Sequence, residues 1–166
     1  MLGQLQDAGN TTTIAHYLEL LETAFLLSGL ESTVRLIRSS SPKLILWNNA
    51  LVSALNRYSF EEAQSDHAWW GRLVENAVGA QLFINNLAIG NEITYWREKG
   101  YEVDFCINTG DSRLGIEVKS GALESKSGIE HFKKRYPKSK ILIVGTGGLS
   151  LEEFFANSGS ISKKCM

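Results

Sequence analysis

Glu102-Val103-Asp104-Phe105 and Ile116-Glu117-Val118-Lys119, with the turn-forming Asn108-Thr109-Gly110-Asp111 between them, are the stretches that decide the fold. Both alternate apolar and charged residues, and side chains along a strand point to opposite faces with a period of two. The alternation predicts Val103 and Phe105 on one face with Asp104 on the other, and Ile116 and Val118 opposite Glu117 and Lys119. The Asn-Thr-Gly-Asp stretch is a hairpin signal. A hairpin closed there brings Asp104 near Glu117 and Lys119 on one side of a sheet.

Working outward, strands are predicted over residues 92–97, 102–108, 113–119 and 140–145, with a helix over 126–136 before the last. Leu73, Val74, Ala77, Val78 and Leu82 recur at helical spacing and predict a helix over 68–87, with Glu75 at the margin of its apolar face. The order α-β-β-β-α-β, starting with three antiparallel strands, is an α/β (α+β) sheet and not a doubly wound nucleotide fold.

Further upstream, Asn10-Thr11-Thr12-Thr13 offers capping side chains before the helically spaced Ile14, Tyr17, Leu18, Leu21 and Phe25. A helix over about 12–28 is predicted, ended by Gly29, then strand-like runs over 30–37 and 44–47. A helix and a hairpin suggest a small winged-helix-like module over residues 1–62. The polar stretch 56–66 reads as the join to a second unit over 63–166. A packing subdomain with no nucleic-acid role is the plainer reading of the first half.

The chain has 166 residues, 21% of them charged, and a formal charge of -1. This composition excludes disordered, collagen-like and coiled-coil chains. No apolar run has the ~18–20 residues of a membrane helix, and the N-terminus has no signal-peptide pattern, so a cytoplasmic protein without a membrane partner is expected. Two unpaired cysteines fit a reducing compartment. Residues 1–66 carry 4 basic and 7 acidic side chains against 13 and 11 in residues 67–166. The basic excess is densest at Lys119, Lys126, Lys133, Lys134, Arg135, Lys138 and Lys140, a group suited to a polyanion or to a solvated helix face.

Two carboxylates converging with a lysine suit phosphodiester hydrolysis, because Mg²⁺ takes oxygen ligands and acidifies a bound water. Asp104 and Glu117 are the expected ligands, the Val118 carbonyl a further one, and Glu75 a support. Lys119 is expected to orient the water or to stabilise charge on the phosphate. The alternative is a solvated sheet face on which Lys119 merely neutralises Glu117. Trp69, Trp70, Trp96, Tyr95 and Tyr101 read as core or seam residues before they read as base-stacking ones. Arg97 reads as a structural partner of Glu102 or Glu98. His16, His67 and His131 lack metal-ligand spacing.

Asp104 with Glu117-Val118-Lys119 resembles the PD-(D/E)XK nuclease signature. The ordered series LGQLQDAGNTTTIAHYLELLETAFLLSGL, SPKLILWNNALVSAL, GRLVENAVGAQL, ITYWREKGYEVDFCI, LGIEVKSG and ILIVGTGGLSLEEF is similar to the C-terminal region of a prokaryotic family of predicted AAA-type ATPases, a domain of unknown function. The resemblance implies a PD-(D/E)XK, restriction-endonuclease-like core with metal and catalytic positions at Asp104, Glu117, Lys119 and Glu75. It also implies that ATP is bound only by a missing N-terminal module. No phosphate-binding loop of the G-x-x-x-x-G-K-[ST] type occurs here, and Gly145-Thr146-Gly147-Gly148 reads as a strand-to-helix turn. Where the family commonly has an acidic residue, this chain has Asn48.

Three functions follow as expectations. The first is a Mg²⁺- or Mn²⁺-dependent DNA nuclease using Asp104, Glu117, Lys119 and Glu75, with Lys126, Lys133, Lys134 and Arg135 on the DNA backbone. The second is a nuclease-like module that binds DNA or protein without cutting and positions the ATPase module. The third is a structural domain that forms a homo-oligomer.

Overall fold

The structure, a computed structural model, describes residues 11–34, 42–109, 112–121 and 127–164. Helix α1 (Thr11–Thr23) leads into a hairpin of β1 (Leu27–Leu30) and β2 (Lys43–Leu46). Helices α2 (Asn49–Asn56), α3 (Phe60–Ser65) and α4 (His67–Asn86) follow. Then come β3 (Glu92–Glu98), β4 (Tyr101–Thr109), β5 (Ser112–Lys119), α5 (Ser127–Arg135), β6 (Lys140–Gly145) and α6 (Leu151–Lys164). The main sheet has the order β3-β4-β5-β6, antiparallel except for β5 and β6, which run parallel with α5 in their crossover. The fold is α+β, in the α-β-β-β-α-β order that the hydrophobic periodicity predicts for α4 to β6.

Local chemistry explains the element starts near the site. Asp66 caps α4 by accepting from the N–H groups of Ala68 and Trp69 at 3.1 and 3.0 Å. One stripe of α4, including Val78 and Leu82, then packs on the sheet residues Phe105, Ile116 and Val144, all buried. Gly79 is what lets the helix come this close, since a Cβ there would lie 2.9 Å from the Phe105 ring.

The alternation predicted for β4 breaks at the decisive position. Thr94 pairs with Cys106 and Trp96 with Val103, so two steps on β3 face three on β4, and β4 carries one extra residue around Asp104 and Phe105. Val103 accordingly packs with Trp96, Cys106 and Phe132, whereas Phe105 joins Val78 and Ile116 in the other cluster. The expectation that Val103 and Phe105 share a face is overturned by this bulge. The pairing of β4 with β5 runs from Thr109↔Ser112 to Phe105↔Ile116. Residues 110 and 111, which complete the hairpin signal, lie outside the described residues.

The first half differs from its reading in several places. Helix α1 stops at Thr23 rather than near residue 28, and Gly29 lies inside β1. Phe25, at φ 55°, supplies the left-handed residue, with Phe25 N–H donating to Glu22 and Leu26 N–H to Leu21. That is the Schellman arrangement usually given to glycine. Phe25 packs edge-on to Trp47, with ring centroids 5.5 Å apart. The strand read over 30–37 is Leu27–Leu30 instead, with residues 35–37 outside the described set. The polar stretch read as a join contains α3, opened by a capping box between Ser59 and Glu62, and residue 62 falls within it.

The hairpin β1–β2 is tied into the core of the main sheet. Leu30 and Ile45 belong to the same buried cluster as Val78 and Phe105. Asn76 of α4 reads the edge of β2: its Oδ1 accepts from Leu46 N–H at 2.9 Å, and its Nδ2 donates to Leu46 O at 2.8 Å and Asn49 Oδ1 at 2.7 Å. Asn48 caps α2 by accepting from Ala50 N–H at 2.9 Å. Aspartate and asparagine serve that role equally. Among the described residues no helix is long and apolar enough to cross a membrane.

Candidate active site

Beyond Phe105↔Ile116, β4 and β5 separate, and the side chain of Asp104 fills the fork. Its Oδ2 accepts from the main-chain N–H of Val118 at 2.8 Å, taking the bond a paired strand would make. The bulge re-aims Asp104 into this gap. Glu117 and Lys119 follow on β5, with Lys119 Nζ 2.8 Å from Glu117 Oε1. Glu117 Oε2 is buried and has no hydrogen-bond partner among the described residues. A cleft of about 510 Å³ opens over these groups, lined by Glu75, Asp104, Glu117, Val118 and Lys119, with His67 and Arg72 from the first turns of α4.

The structure thus gathers Asp104, Glu117, Val118, Lys119 and Glu75, as the sequence reading expects. It places the basic group elsewhere. Lys133, Lys134 and Arg135 are exposed on the last turn of α5 and none lines the carboxylate cleft. Lys134 and Arg135 border a separate recess with Tyr101 and His131, whose rings stack at 3.5 Å. Lys126 lies outside the described residues.

Lys43, at the start of β2, is the member the sequence reading misses. Its Nζ pairs with Glu75 Oε1 and lies 3.5 Å from both Glu102 Oε1 and Asp104 Oδ1. Pro42-Lys43 heading a strand is the only local signal, and it does not say that the strand docks beside Glu75. Glu102 is held from its other side by Arg97, whose Nε and Nη2 donate to Glu102 Oε2 at 2.9 and 2.7 Å. The structural ion pair read for Arg97 is therefore present. Arg72 and His67 are also missed as cleft residues, because α4's exposed face carries no motif.

Crowding sets the electrostatics. Burial pushes the carboxyl of Glu117 above the usual range, and the nearby Asp104 charge pushes it further, against the pull of Lys119. Glu75 is raised by the same two causes, against the pull of Lys43. For Lys43, burial alone would lower the pKa, but Asp104 and Glu75 outweigh it and hold the ammonium above its usual value. The buried Cys106 thiol is pushed up to about 12 by burial, so it is no nucleophile.

Glu75, Asp104 and Glu117 offer the cleft carboxylate oxygens, and Glu117 Oε2, without a hydrogen-bond partner among the described residues, is an acceptor waiting for a donor or a cation. That chemistry fits Mg²⁺ or Mn²⁺. Among the described residues no three His, Cys, Asp or Glu side chains stand ready to hold a metal together. Lys43 is what bridges Glu75 and Asp104.

Residues 70–155 match the family described as Domain of unknown function (DUF4143). The chain belongs to the DUF4143 family. The DUF4143 match spans α4 to α6 and contains Glu75, Asp104, Glu117 and Lys119, while Lys43 lies upstream of it. Neither the comparison with curated proteins nor that with solved structures finds a match.

Proposed function

We propose that the cleft between α4 and the β4–β5 fork hydrolyses phosphodiester bonds of DNA with Mg²⁺ or Mn²⁺, and that the chain is the nuclease-like C-terminal region of an AAA-type ATPase. The observation that carries this reading is Glu117 Oε2, a buried carboxylate oxygen with no hydrogen-bond partner among the described residues, beside Asp104 at a strand fork. Asp104, Glu117 and the Val118 carbonyl would hold the ion, with Glu75 in support; bound there, it would neutralise phosphate and acidify a water.

The chain's own residues supply the rest. Lys119 presents its ammonium to the cleft and offsets negative charge on a phosphate oxygen. Arg72 and His67 line the same cleft and are the phosphate contacts nearest the chemistry. Lys133, Lys134 and Arg135 serve a strand that continues past α5, where contacts to the backbone raise affinity without reading sequence.

A second reading, a module that binds nucleic acid without cutting, is favoured by Lys43, which already neutralises Glu75 and one oxygen of Asp104. The test is incubation of the chain with branched, single-stranded and duplex DNA in Mg²⁺ and in Mn²⁺. Cleavage lost in both Lys119→Ala and Asp104→Ala supports the nuclease. Cleavage retained in Lys119→Ala refutes the assignment, and binding without cleavage by the parent chain selects the second reading.

A further inference from the structure

The carboxylate cluster already holds a cation of its own. Lys43 Nζ contacts oxygens of Glu75, Glu102 and Asp104, and its side chain is only 21% exposed. It reaches them from β2, an element that does not belong to the main sheet. Two of its three partners, Glu75 and Asp104, are also lining residues of the proposed metal cleft, whereas Lys43 and Glu102 are not. Asp104 therefore divides its carboxylate, with Oδ1 toward Lys43 and Oδ2 on the Val118 N–H.

We propose that Lys43 is the resident counter-cation of this cluster, and that a divalent ion enters the cleft in competition with it, so that the β1–β2 hairpin sets the metal affinity of the site. The inference rests on the metal-dependent reading given under Proposed function. Like charges a few ångströms apart repel strongly when partly desolvated. An ion on Asp104 and Glu75 must share them with the ammonium or displace it. Asn76 holds the hairpin in the position from which Lys43 competes. Lys43 is thus a positioning residue for Glu75 and Asp104 and, at the same time, a limit on how tightly they bind a metal.

The two roles predict opposite changes, which makes the competition testable. Removing a purely structural ion pair would loosen the carboxylates and weaken metal binding; removing a competing cation would strengthen it. Mn²⁺ binding to the full chain is measured by titration calorimetry, and the Mn²⁺-dependent rise in Tm is measured in parallel. Lys43→Gln and Lys43→Met, two neutral replacements of similar length, are each expected to bind Mn²⁺ at least tenfold more tightly than the parent. Lys43→Arg, which keeps the charge, is expected to stay within about threefold of it.

Measurable Mn²⁺ binding that is unchanged or weaker in both neutral variants overturns the competition while leaving the metal-dependent reading in place. No Mn²⁺ binding by the parent or any folded variant overturns both. Should one neutral variant fail to fold, the other decides. Should both fail, Glu102→Gln, which removes one of the three carboxylates holding Lys43 without lining the cleft, is expected to weaken Mn²⁺ binding by leaving more of the ammonium to Glu75 and Asp104; unchanged binding then overturns the proposal.

Discussion

Asp104 accepts the main-chain N–H of Val118 across 2.8 Å, in the gap where β4 and β5 no longer pair. A single carboxylate thus closes the strand fork and lines the cleft. Asp104→Ala is expected to lose ~1–3 kcal/mol of stability, because it leaves a partly buried N–H without an acceptor. Asp104→Asn keeps an acceptor and removes the charge, so it is expected to recover most of that stability while abolishing metal-dependent cleavage. Urea unfolding of the two variants checks the split; equal stability losses would show that charge, not the hydrogen bond, matters to the fold.

How much of this site was legible in the sequence depends on the distance over which each residue's role is set. The alternation around Asp104 and Glu117 located both strands, since period-two patterning is a local signal. It misassigned the faces of Val103 and Phe105 because the extra residue in β4 is defined only by its pairing with β3. Lys43 lies 32 positions before Glu75 and 61 before Asp104, and nothing near it records that contact. The end of α1 was missed because Phe25 adopts the left-handed conformation that sequence rules reserve for glycine or asparagine.

The raised carboxyls of Glu117 and Glu75 predict a particular slope of stability against pH. A group whose folded pKa exceeds its unfolded value contributes stability fully below the unfolded value, here 4.5, and loses it as pH rises through the folded one. Ionised Glu117 therefore burdens the fold at neutral pH. Glu117→Gln is expected to be more stable than the parent at pH 7 and to lose that advantage on acidification toward pH ~4.5. Urea midpoints across this range supply the test, and an advantage that grows on acidification would refute the assignment. Lys43, raised for the opposite sign of charge, keeps its contribution until strongly alkaline pH.

Asn76 is the fastening between α4 and the hairpin. Asn76→Ala would strip both main-chain groups of Leu46 and the side chain of Asn49 of their partner. A loss of about 2–4 kcal/mol is expected from the unsatisfied groups. Hydrogen exchange at Leu46 is expected to accelerate with it. Stability within 0.5 kcal/mol of the parent would show that the surface at β2 finds water instead.

Asn48 is a helix cap, so Asn48→Asp is expected to be neutral and Asn48→Ala to cost ~1 kcal/mol. Thermal unfolding distinguishes these outcomes. Equal Tm values for the three chains would remove the capping explanation for this position.

Lys43, beside the cleft, and Glu75, Asp104 and Glu117, which line it, come from a hairpin, a helix and two sheet strands. Contacts this remote in sequence close late in folding. A chain that has formed its sheet but not docked its hairpin holds Glu75, Glu102 and Asp104 without the Lys43 ammonium that sits among them in the folded protein. Docking brings that ammonium to them, so the arrival of β2 is also the arrival of the charge that balances Glu75 and Asp104. The state of the hairpin is consequently written into the charge of the neighbouring cleft: a chain whose hairpin has opened carries one positive charge fewer beside Glu75 and Asp104.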